Sequence, residues 1–259
     1  MPVLTTLHVH EWGESSAPTL VCLHGVQAHG RRFRRLAEER LSSRYHLLAP
    51  DLRGHGRSTW QGPWTLERHV EDVFELVTRP SVWIGHSFGG RLVAEVMARR
   101  PELVERAVLL DPALTVPPDY ADFLADQELT VDESFATVEE AVERTFAGLF
   151  RRPSALLEEE VAEHLVQGDD GRYRFRYSHE AVAAGYVEVA APPPPWQREG
   201  IPSLIVAGAV SKFVSVGEVE LYRAALGDLL QVVVVPGGHS VLWDAFDETA
   251  DAIERFLVA

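Results

Sequence analysis

The sequence predicts an α/β fold with a mostly parallel central sheet and helices on both of its faces. Short apolar runs of strand length alternate with segments in which apolar residues recur at helical spacing, and such a βαβα order is typical of a parallel sheet. The strand-like runs at 107–110 and 232–235 are apolar throughout, as expected for strands buried on both faces. The alternation is interrupted between Asp111 and about Trp196.

The predicted elements can be placed in order along the chain. Leu66, Val70 and Val73 recur at the three- to four-residue spacing of a helix face, and the other helices are assigned on the same pattern. Before the interruption we expect strands at 19–23, 45–49, 81–85 and 106–110, and helices at 31–41, 66–77 and 88–99; after it, strands at 203–206 and 231–235 and helices at 217–226 and 241–256.

The interrupting segment, residues 112–196, is predicted to be a helical lobe inserted into a core domain formed by residues 1–111 and 197–259. It has helix-like stretches at 134–150 and 154–166 but no clear strand for the sheet. It closes with four prolines at 192–195, which favour extended and stiff backbone.

Composition excludes several classes of protein. With 259 residues and 46% hydrophobic content the chain can bury a large core, which excludes intrinsic disorder. The net charge of −15 argues against a nucleic-acid partner. Cys22 is the only cysteine, so the chain has no intramolecular disulfide and no cysteine-based metal site. No apolar run is long enough to span a membrane and no signal peptide is evident, so we expect a cytoplasmic protein.

The sharpest motif is Gly85-His86-Ser87-Phe88-Gly89, which follows an apolar run and opens a helix. This is the strand–turn–helix context of a nucleophile elbow, in which a tight turn projects the serine hydroxyl and the flanking glycines permit close packing. The alternative is that Ser87 merely caps the helix. We predict that Ser87 is a nucleophile.

Two further glycine-rich turns follow predicted strands. His24-Gly25 ends the first predicted strand. In a nucleophile-elbow fold, the loop after this strand supplies one oxyanion-hole amide and the residue after the nucleophile supplies the second. We therefore predict that the backbone amides of Val26 and Phe88 form the oxyanion hole. Gly237-Gly238-His239 follows the last strand, where a histidine reaches the crevice above the sheet. His239 is therefore the candidate general base.

The segment from Asp51 to Ser58 is rich in glycine and polar residues. It lacks the Gly-Lys-Ser/Thr end of a phosphate-binding loop. We interpret it as a structural loop tied by an Asp51–Arg53 network.

In their order along the chain, these motifs resemble the α/β-hydrolase superfamily, and in particular its esterase- and lipase-like serine hydrolases. The resemblance covers essentially the whole chain and implies the α/β-hydrolase fold, a cap or lid at 112–196, and a Ser…acid…His triad that includes Ser87 and His239. A serine nucleophile argues against epoxide hydrolases and haloalkane dehalogenases of this fold.

The triad acid departs from the usual pattern. Most relatives place an aspartate three residues beyond a glycine equivalent to Gly208, and that position is Ser211 here. A minority place the acid after the preceding strand, where this chain has Asp111. The alternative is that Asp111 is a turn aspartate before Pro112. We predict Asp111 as the acid, with Glu218 as a fallback.

Together these residues predict hydrolysis of a small, apolar carboxylic ester through an acyl-enzyme, with no cofactor and no metal. The same triad would also serve hydrolysis of a lactone, a thioester or a C–C bond, or a cofactor-free lyase or perhydrolase, so these alternatives remain open. A non-catalytic binder is a further alternative, because Ser211 replaces the usual acid. The residues assigned to substrate binding are His24, Gly25, His86, Phe146 and Trp243, with His24 chiefly a loop-holding residue. Aromatic residues of the lobe that are candidates for the pocket or the lobe core are Phe123, Phe135, Phe146, Phe150, Tyr173 and Phe175.

Overall fold

A computed structural model describes residues 7–131, 133–147, 154–195 and 200–258. Within these ranges nine strands are present. Seven of them form one sheet, and every neighbouring pair in it is parallel except the first and third strands. The strands are β1 (Val9–Trp12), β2 (Thr19–Leu23), β3 (His46–Pro50), β4 (Ser81–His86), β5 (Val104–Leu110), β6 (Leu165–Gln167), β7 (Tyr173–Phe175), β8 (Ser203–Gly208) and β9 (Leu230–Val235). The sheet order β1-β3-β2-β4-β5-β8-β9 confirms the predicted mostly parallel α/β fold.

Helices connect the strands. They are α1 (Arg34–Leu36), α2 (Leu66–Phe74), α3 (Phe88–Arg99), α4 (Pro118–Thr130), α5 (Val138–Phe146), α6 (Ala155–Glu163), α7 (His179–Glu188), α8 (Val216–Leu226), α9 (Val241–Asp244) and α10 (Phe246–Val258). No helix among the described residues is both long and apolar enough to cross a membrane.

Two predicted helices differ in detail. The stretch at 31–41 is a 3₁₀ turn, the short α1 and a π-helical turn in succession. The stretch at 241–256 is broken at Ala245, whose φ of −143° and ψ of 56° are not helical. The apolar spacing is retained across both irregularities, which is why periodicity alone did not reveal them.

The core lies on both faces of the sheet. Successive strand side chains point to opposite faces, so Trp83 and Leu109 belong to one apolar cluster and their neighbours Ile84 and Val108 to the other. All four are fully buried. This two-sided burial accounts for the continuously apolar sequences of β4 and β5, which are inner strands of the sheet.

Residues 112–196 supply α4 to α7 and, in the part that the structure describes, no strand to the central sheet. The short strands β6 and β7 pair antiparallel in a separate two-stranded sheet, with one further bridge from Tyr173 of β7 to Phe135. The sequence analysis did not predict these two strands. The predicted helices at 134–150 and 154–166 are the shorter α5 and α6. Phe150 and Trp196 lie outside the described residues. The division into domains at 111/112 and 196/197 stays a prediction.

A single buried arginine holds both ends of this segment. Arg91 on α3 donates to the carbonyl oxygen of Leu114 at 3.3 Å and to those of Ala191 at 2.8 Å and Pro192 at 2.9 Å. Its Nε is paired with Glu95 at 3.1 Å. Because Leu114 lies near the start of the segment and Pro192 near its end, both connections are fastened to the helix that begins after Ser87.

Candidate active site

Ser87 occupies a strained turn between β4 and α3. Its φ of 53° and ψ of −115° are a conformation that costs a non-glycine residue roughly 1–3 kcal/mol. The turn requires small neighbours, because a Cβ on Gly85 would lie 2.2 Å from the carbonyl oxygen of Gly89, and one on Gly89 would lie 2.0 Å from that of Leu23. The two glycines therefore allow strand and helix to approach each other at the point where Ser87 projects.

Asp111 follows β5 and is fully buried, also with a positive φ, of 41°. Its Oδ1 accepts a hydrogen bond from the amide of Gly208 at 3.0 Å. Its Oδ2 lies 2.6 Å from Nδ1 of His239. Since a carboxylate only accepts hydrogen bonds, Nδ1 donates the proton of this bond, and Nε2 of His239 remains the nitrogen able to accept one.

Ser211 stands where most superfamily members have the acid, and it supports Asp111 instead. Its hydroxyl donates to Oδ2 of Asp111 at 2.5 Å. The Ser211 oxygen also accepts from the amide of Phe213 at 3.2 Å. The sequence reading gave Ser211 no part in orienting the acid; no motif in a single sequence indicates this contact, which depends on β5 and β8 being neighbours.

The His239 ring contacts two other rings. The Phe213 ring centroid is 4.1 Å away and that of His86 is 4.8 Å away. Nε2 of His86 donates to the carbonyl oxygen of His239 at 2.9 Å. Burial, and secondarily the proximity of His239, keep the pKa of His86 well below its ordinary value. His86 is therefore a neutral donor that positions the His239 backbone.

Among the described residues, no hydrogen bond joins the Ser87 hydroxyl to His239. Catalytic hydrogen bonds in substrate-free enzymes are often long and tighten when substrate binds. Ser87 and His239 line the same cavity, whose volume is about 330 Å³.

The two predicted oxyanion amides lie beside Ser87. Residues 25–28 form a turn closed by the amide of Ala28 and the carbonyl oxygen of Gly25 at 3.1 Å. The Val26 amide takes no part in that bond. Phe88 is the first residue of α3, where an amide has no acceptor within the helix. A Cβ on Gly25 would lie 3.3 Å from Cβ of Ser87, which places this turn directly against the nucleophile.

His24 and His55 hold the turn from behind. Nδ1 of His24 donates to the carbonyl oxygen of Gly25 at 2.7 Å, and its Nε2 accepts from the amide of Leu52 at 2.9 Å. Nε2 of His55 donates to the carbonyl oxygen of Val26 at 2.5 Å. His24 is fully buried and is absent from the described cavity lining, so its position fits the loop-holding interpretation and not contact with substrate.

Three of the other predicted substrate residues line the cavity and one does not. Gly25, His86 and Trp243 are on its wall. Phe146 is not among the described lining residues, and its ring packs against that of Trp243 with centroids 5.1 Å apart. Of the predicted lobe aromatics that the structure describes, Phe175 lines the cavity, while Phe123 is 56% exposed.

The Asp51–Arg53 network was wrong in its pairing. Asp51 accepts from the amides of Gly30 and Arg57, each at 2.9 Å. Arg53 instead forms a buried ion pair with Asp72 at 2.7 Å. The loop is structural, but its two charged residues are satisfied separately, because Asp72 on α2 is too distant in sequence to be anticipated.

One group of metal-ligating side chains occurs among the described residues. His8, His10 and Asp51 have ligand atoms within 4.8 Å of one another. Asp51 already accepts from two amides and from His10 at 3.2 Å, and none of the three is among the described residues of the cavity wall. The expectation of a metal-free active site stays a prediction.

Comparison with known proteins identifies the family to which the chain belongs. The alpha/beta hydrolase fold family matches residues 18–246. The chain is 34% identical over 192 residues to Lipase LipV of Mycobacterium tuberculosis, covering 73% of each chain. It is 30% identical to 2-(acetamidomethylene)succinate hydrolase of Mesorhizobium japonicum, over 98% of this chain and 92% of that one. A crystal structure of E-2-(acetamidomethylene)succinate hydrolase superposes with a TM-score of 0.86 at 26% identity, covering 98% of this chain and 96% of that one.

Proposed function

Because the chain belongs to the α/β-hydrolase fold family, we propose that it is a serine hydrolase that cleaves carboxylic esters through an acyl-enzyme. The observation that carries the proposal is the 2.6 Å contact between Asp111 and His239, at a cavity that also holds a serine with positive φ. A merely helix-capping serine would have no need of this strained conformation.

The proposed chemistry has two halves. The Ser87 oxygen attacks the ester carbonyl carbon while Nε2 of His239 takes the hydroxyl proton, and the amides of Val26 and Phe88 stabilise the resulting oxyanion. The C–O bond to the alcohol then breaks, and the alcohol leaves with the proton from Nε2. Water repeats the sequence on the acyl-enzyme: His239 removes its proton, the acid is released, and Ser87 regains its hydrogen.

Asp111 has a fixed part in this scheme. Its carboxylate keeps Nδ1 protonated, so that Nε2 faces the proton being moved, and it stabilises the imidazolium that forms. Ser211 and the Gly208 amide hold the carboxylate in place. Removing Ser211 leaves the charge and the His239 contact intact, and we therefore expect it to matter far less than Asp111.

We also propose that residues 112–196 act as a cap over the site. The support is that Val116, Phe175 and Tyr186 of this segment line the cavity with Ser87. Substitutions in the cap should therefore change the choice of substrate more than the chemistry on a small acetate ester, which needs few contacts with it.

The test is hydrolysis of p-nitrophenyl acetate and butyrate by the wild type, Ser87→Ala and the matched control Ser154→Ala. Ser154 is exposed and its side chain caps no amide. The proposal predicts turnover by the wild type and by Ser154→Ala, and none by Ser87→Ala in a protein with an unchanged circular dichroism spectrum. Equal turnover by Ser87→Ala would overturn it.

A second candidate is cleavage of another acyl bond by the same groups. One relative that spans nearly the whole chain is named for hydrolysis of 2-(acetamidomethylene)succinate, whereas another relative is named a lipase. A panel of esters, lactones and acyl-thioesters at equal concentration distinguishes these activities: the highest kcat/KM on a lactone or thioester would replace the ester assignment while retaining the triad. Absence of turnover on every member would favour a non-catalytic binder.

A further inference from the structure

The cavity wall carries hydrogen-bonding groups that the catalytic scheme does not use. Nε2 of His164 is buried and has no hydrogen-bond partner in the described structure. His164 as a whole is 4% exposed and lines the cavity. The hydroxyl of Thr145 is likewise buried without a hydrogen-bond partner in the described structure, and Thr145 also lines the cavity. An unpaired buried polar group costs free energy, which a substrate oxygen or donor that reaches it would recover by forming the missing hydrogen bond.

Arg32 lies beside His164 and is held in one orientation. Its Nε donates to Oε1 of Glu160 at 2.6 Å. Its Cζ lies 3.5 Å from the ring centroid of Trp243, a cation–π arrangement that fixes the plane of the guanidinium. Within the described residues, the two terminal nitrogens of Arg32 donate to no protein acceptor, and Arg32 lines the cavity.

These side chains form one contiguous corner, defined by Arg32, Glu160, His29 and His164. Glu160 accepts from Trp243 at 3.3 Å and lies 3.6 Å from Nε2 of His29. The rings of His29 and His164 are stacked with centroids 4.1 Å apart. The corner thus sets the pre-oriented donor fork of Arg32 beside the buried, unpaired imidazole nitrogen of His164, and both residues belong to the wall of the cavity that holds Ser87.

The charge of the corner decides what it can bind. The guanidinium of Arg32 is already balanced by the buried carboxylate of Glu160. Burial opposes ionisation of Glu160, but Arg32 and His29 outweigh it and hold its pKa below the ordinary value. A substrate carboxylate would therefore leave an excess negative charge in a buried site, which is unfavourable. A neutral carbonyl, ether or hydroxyl oxygen accepts the same hydrogen bonds without that cost.

We propose that this corner is a specificity subsite for an uncharged oxygen, so that the preferred substrates are oxygenated esters and not plain alkyl esters or half-esters of dicarboxylic acids. The inference rests on the proposed ester hydrolysis. It narrows the predicted apolar ester to one with a neutral hydrogen-bond acceptor remote from the scissile carbonyl.

The test compares esters that differ in one group. On the acyl side, these are p-nitrophenyl hexanoate, its 4-oxo and 5-oxo derivatives, and the glutarate half-ester; on the alcohol side, pentyl acetate and 4-oxopentyl acetate followed by acid release. Pairing a buried donor that is otherwise left unpaired is worth roughly tenfold or more. We expect at least one oxo ester to exceed its alkyl partner by about tenfold in kcat/KM, and the half-ester to fall below the 5-oxo ester.

Two variants assign that preference to the corner. Arg32→Lys keeps the charge opposite Glu160 but loses the fork, and His164→Phe keeps the ring but loses Nε2. Each should bring the oxo-to-alkyl ratio of kcat/KM toward one. The matched control is Arg40→Lys, because Arg40 is a surface residue paired with Glu254 at 2.6 Å; it should keep the wild-type ratio.

Each outcome decides a separate point. No turnover of any ester defeats the proposed function itself. Turnover without an oxo preference in either series overturns the subsite alone. A preference for the half-ester would show that the corner binds carboxylates, and a preference unchanged in both Arg32→Lys and His164→Phe would place the selectivity elsewhere.

Discussion

Asp111→Asn is the substitution for which the structure predicts the consequence atom by atom. The Gly208 amide donates to Oδ1, so the asparagine must place its carbonyl oxygen there. Its NH₂ group then replaces Oδ2 and faces both His239 and Ser211. Because NH₂ donates, Nδ1 of His239 must become the acceptor and the ring proton moves to Nε2. The nitrogen that should take the Ser87 proton is then already protonated.

The expected loss is that of an orienting aspartate replaced by its amide, two to four orders of magnitude in kcat, or about 3–5 kcal/mol of transition-state stabilisation. The assay is steady-state hydrolysis of p-nitrophenyl acetate by Asp111→Asn beside Ser211→Ala. The latter removes one of the hydrogen bonds to Oδ2 but not the charge, and should cost less than about tenfold, in keeping with the net value of one hydrogen bond.

Near-wild-type kcat in Asp111→Asn would refute this reasoning and leave a Ser–His dyad or a different acid. Where kcat does fall in Asp111→Asn, the double variant Asp111→Asn/Ser211→Asp tests whether the missing carboxylate is the cause. The Ser211 oxygen lies 2.5 Å from the atom that contacts His239, so a carboxylate at this position is close enough to take over. Partial rescue is expected if the tautomer is the cause of the loss.

Three further predictions follow from packing and charge. Gly89→Ala should abolish folding or greatly lower Tm, because the added Cβ would lie 2.0 Å from a carbonyl oxygen. The control Gly217→Ala should leave Tm unchanged, because the space around its Cβ is open. Thermal melts measure both variants. Burial lowers the pKa of His69 in the folded protein to about 3. Between this value and the ordinary histidine pKa of about 6.5, His69 binds a proton in the unfolded chain but not in the folded one. The free energy of unfolding therefore decreases as the pH falls through this range. His69→Phe should reduce the pH slope of the free energy of unfolding by about 1.4 kcal/mol per pH unit in that window; an unchanged slope in denaturant melts at pH 4–6 would contradict it. Arg91→Met should leave three carbonyl oxygens without their donor, which lowers the free energy of unfolding by about 3 kcal/mol or more. Limited proteolysis near residues 114 and 192 should then be faster. Unchanged cleavage there would show that Arg91 does not hold the two ends of residues 112–196.

The sequence was sufficient to predict six of the seven strands of the sheet and to nominate residues for the proposed chemistry. Continuously apolar strands indicate burial on both faces of the sheet. Residues that directly follow parallel strands lie together at one edge of the sheet. This is why Ser87, Asp111 and His239 could be picked out from spacing and resemblance. β1 was missed because Val9–Trp12 is short and half polar, and its pairing with β3 is set by tertiary structure.

Contacts between distant segments that no motif or family resemblance marks lay beyond single-sequence reasoning. The Ser211–Asp111 bond spans 100 residues, and the Arg32–Glu160 pair spans 128. Neither has a local pattern, since an arginine or serine on an irregular turn is usually a surface residue. Phe146 was assigned to the pocket because its side chain is aromatic; in the structure its ring packs against that of Trp243, and its part in substrate binding stays a prediction.

The most direct test of the proposed mechanism is covalent labelling with a fluorophosphonate probe, followed by mass spectrometry of the labelled peptide. Such a probe reacts with an activated serine and spares an ordinary one. The mechanism predicts one label, on Ser87, that is lost in Ser87→Ala and greatly slowed in His239→Ala. Absence of label on the wild-type protein, or equal labelling of Ser87→Ala at another residue, would contradict it.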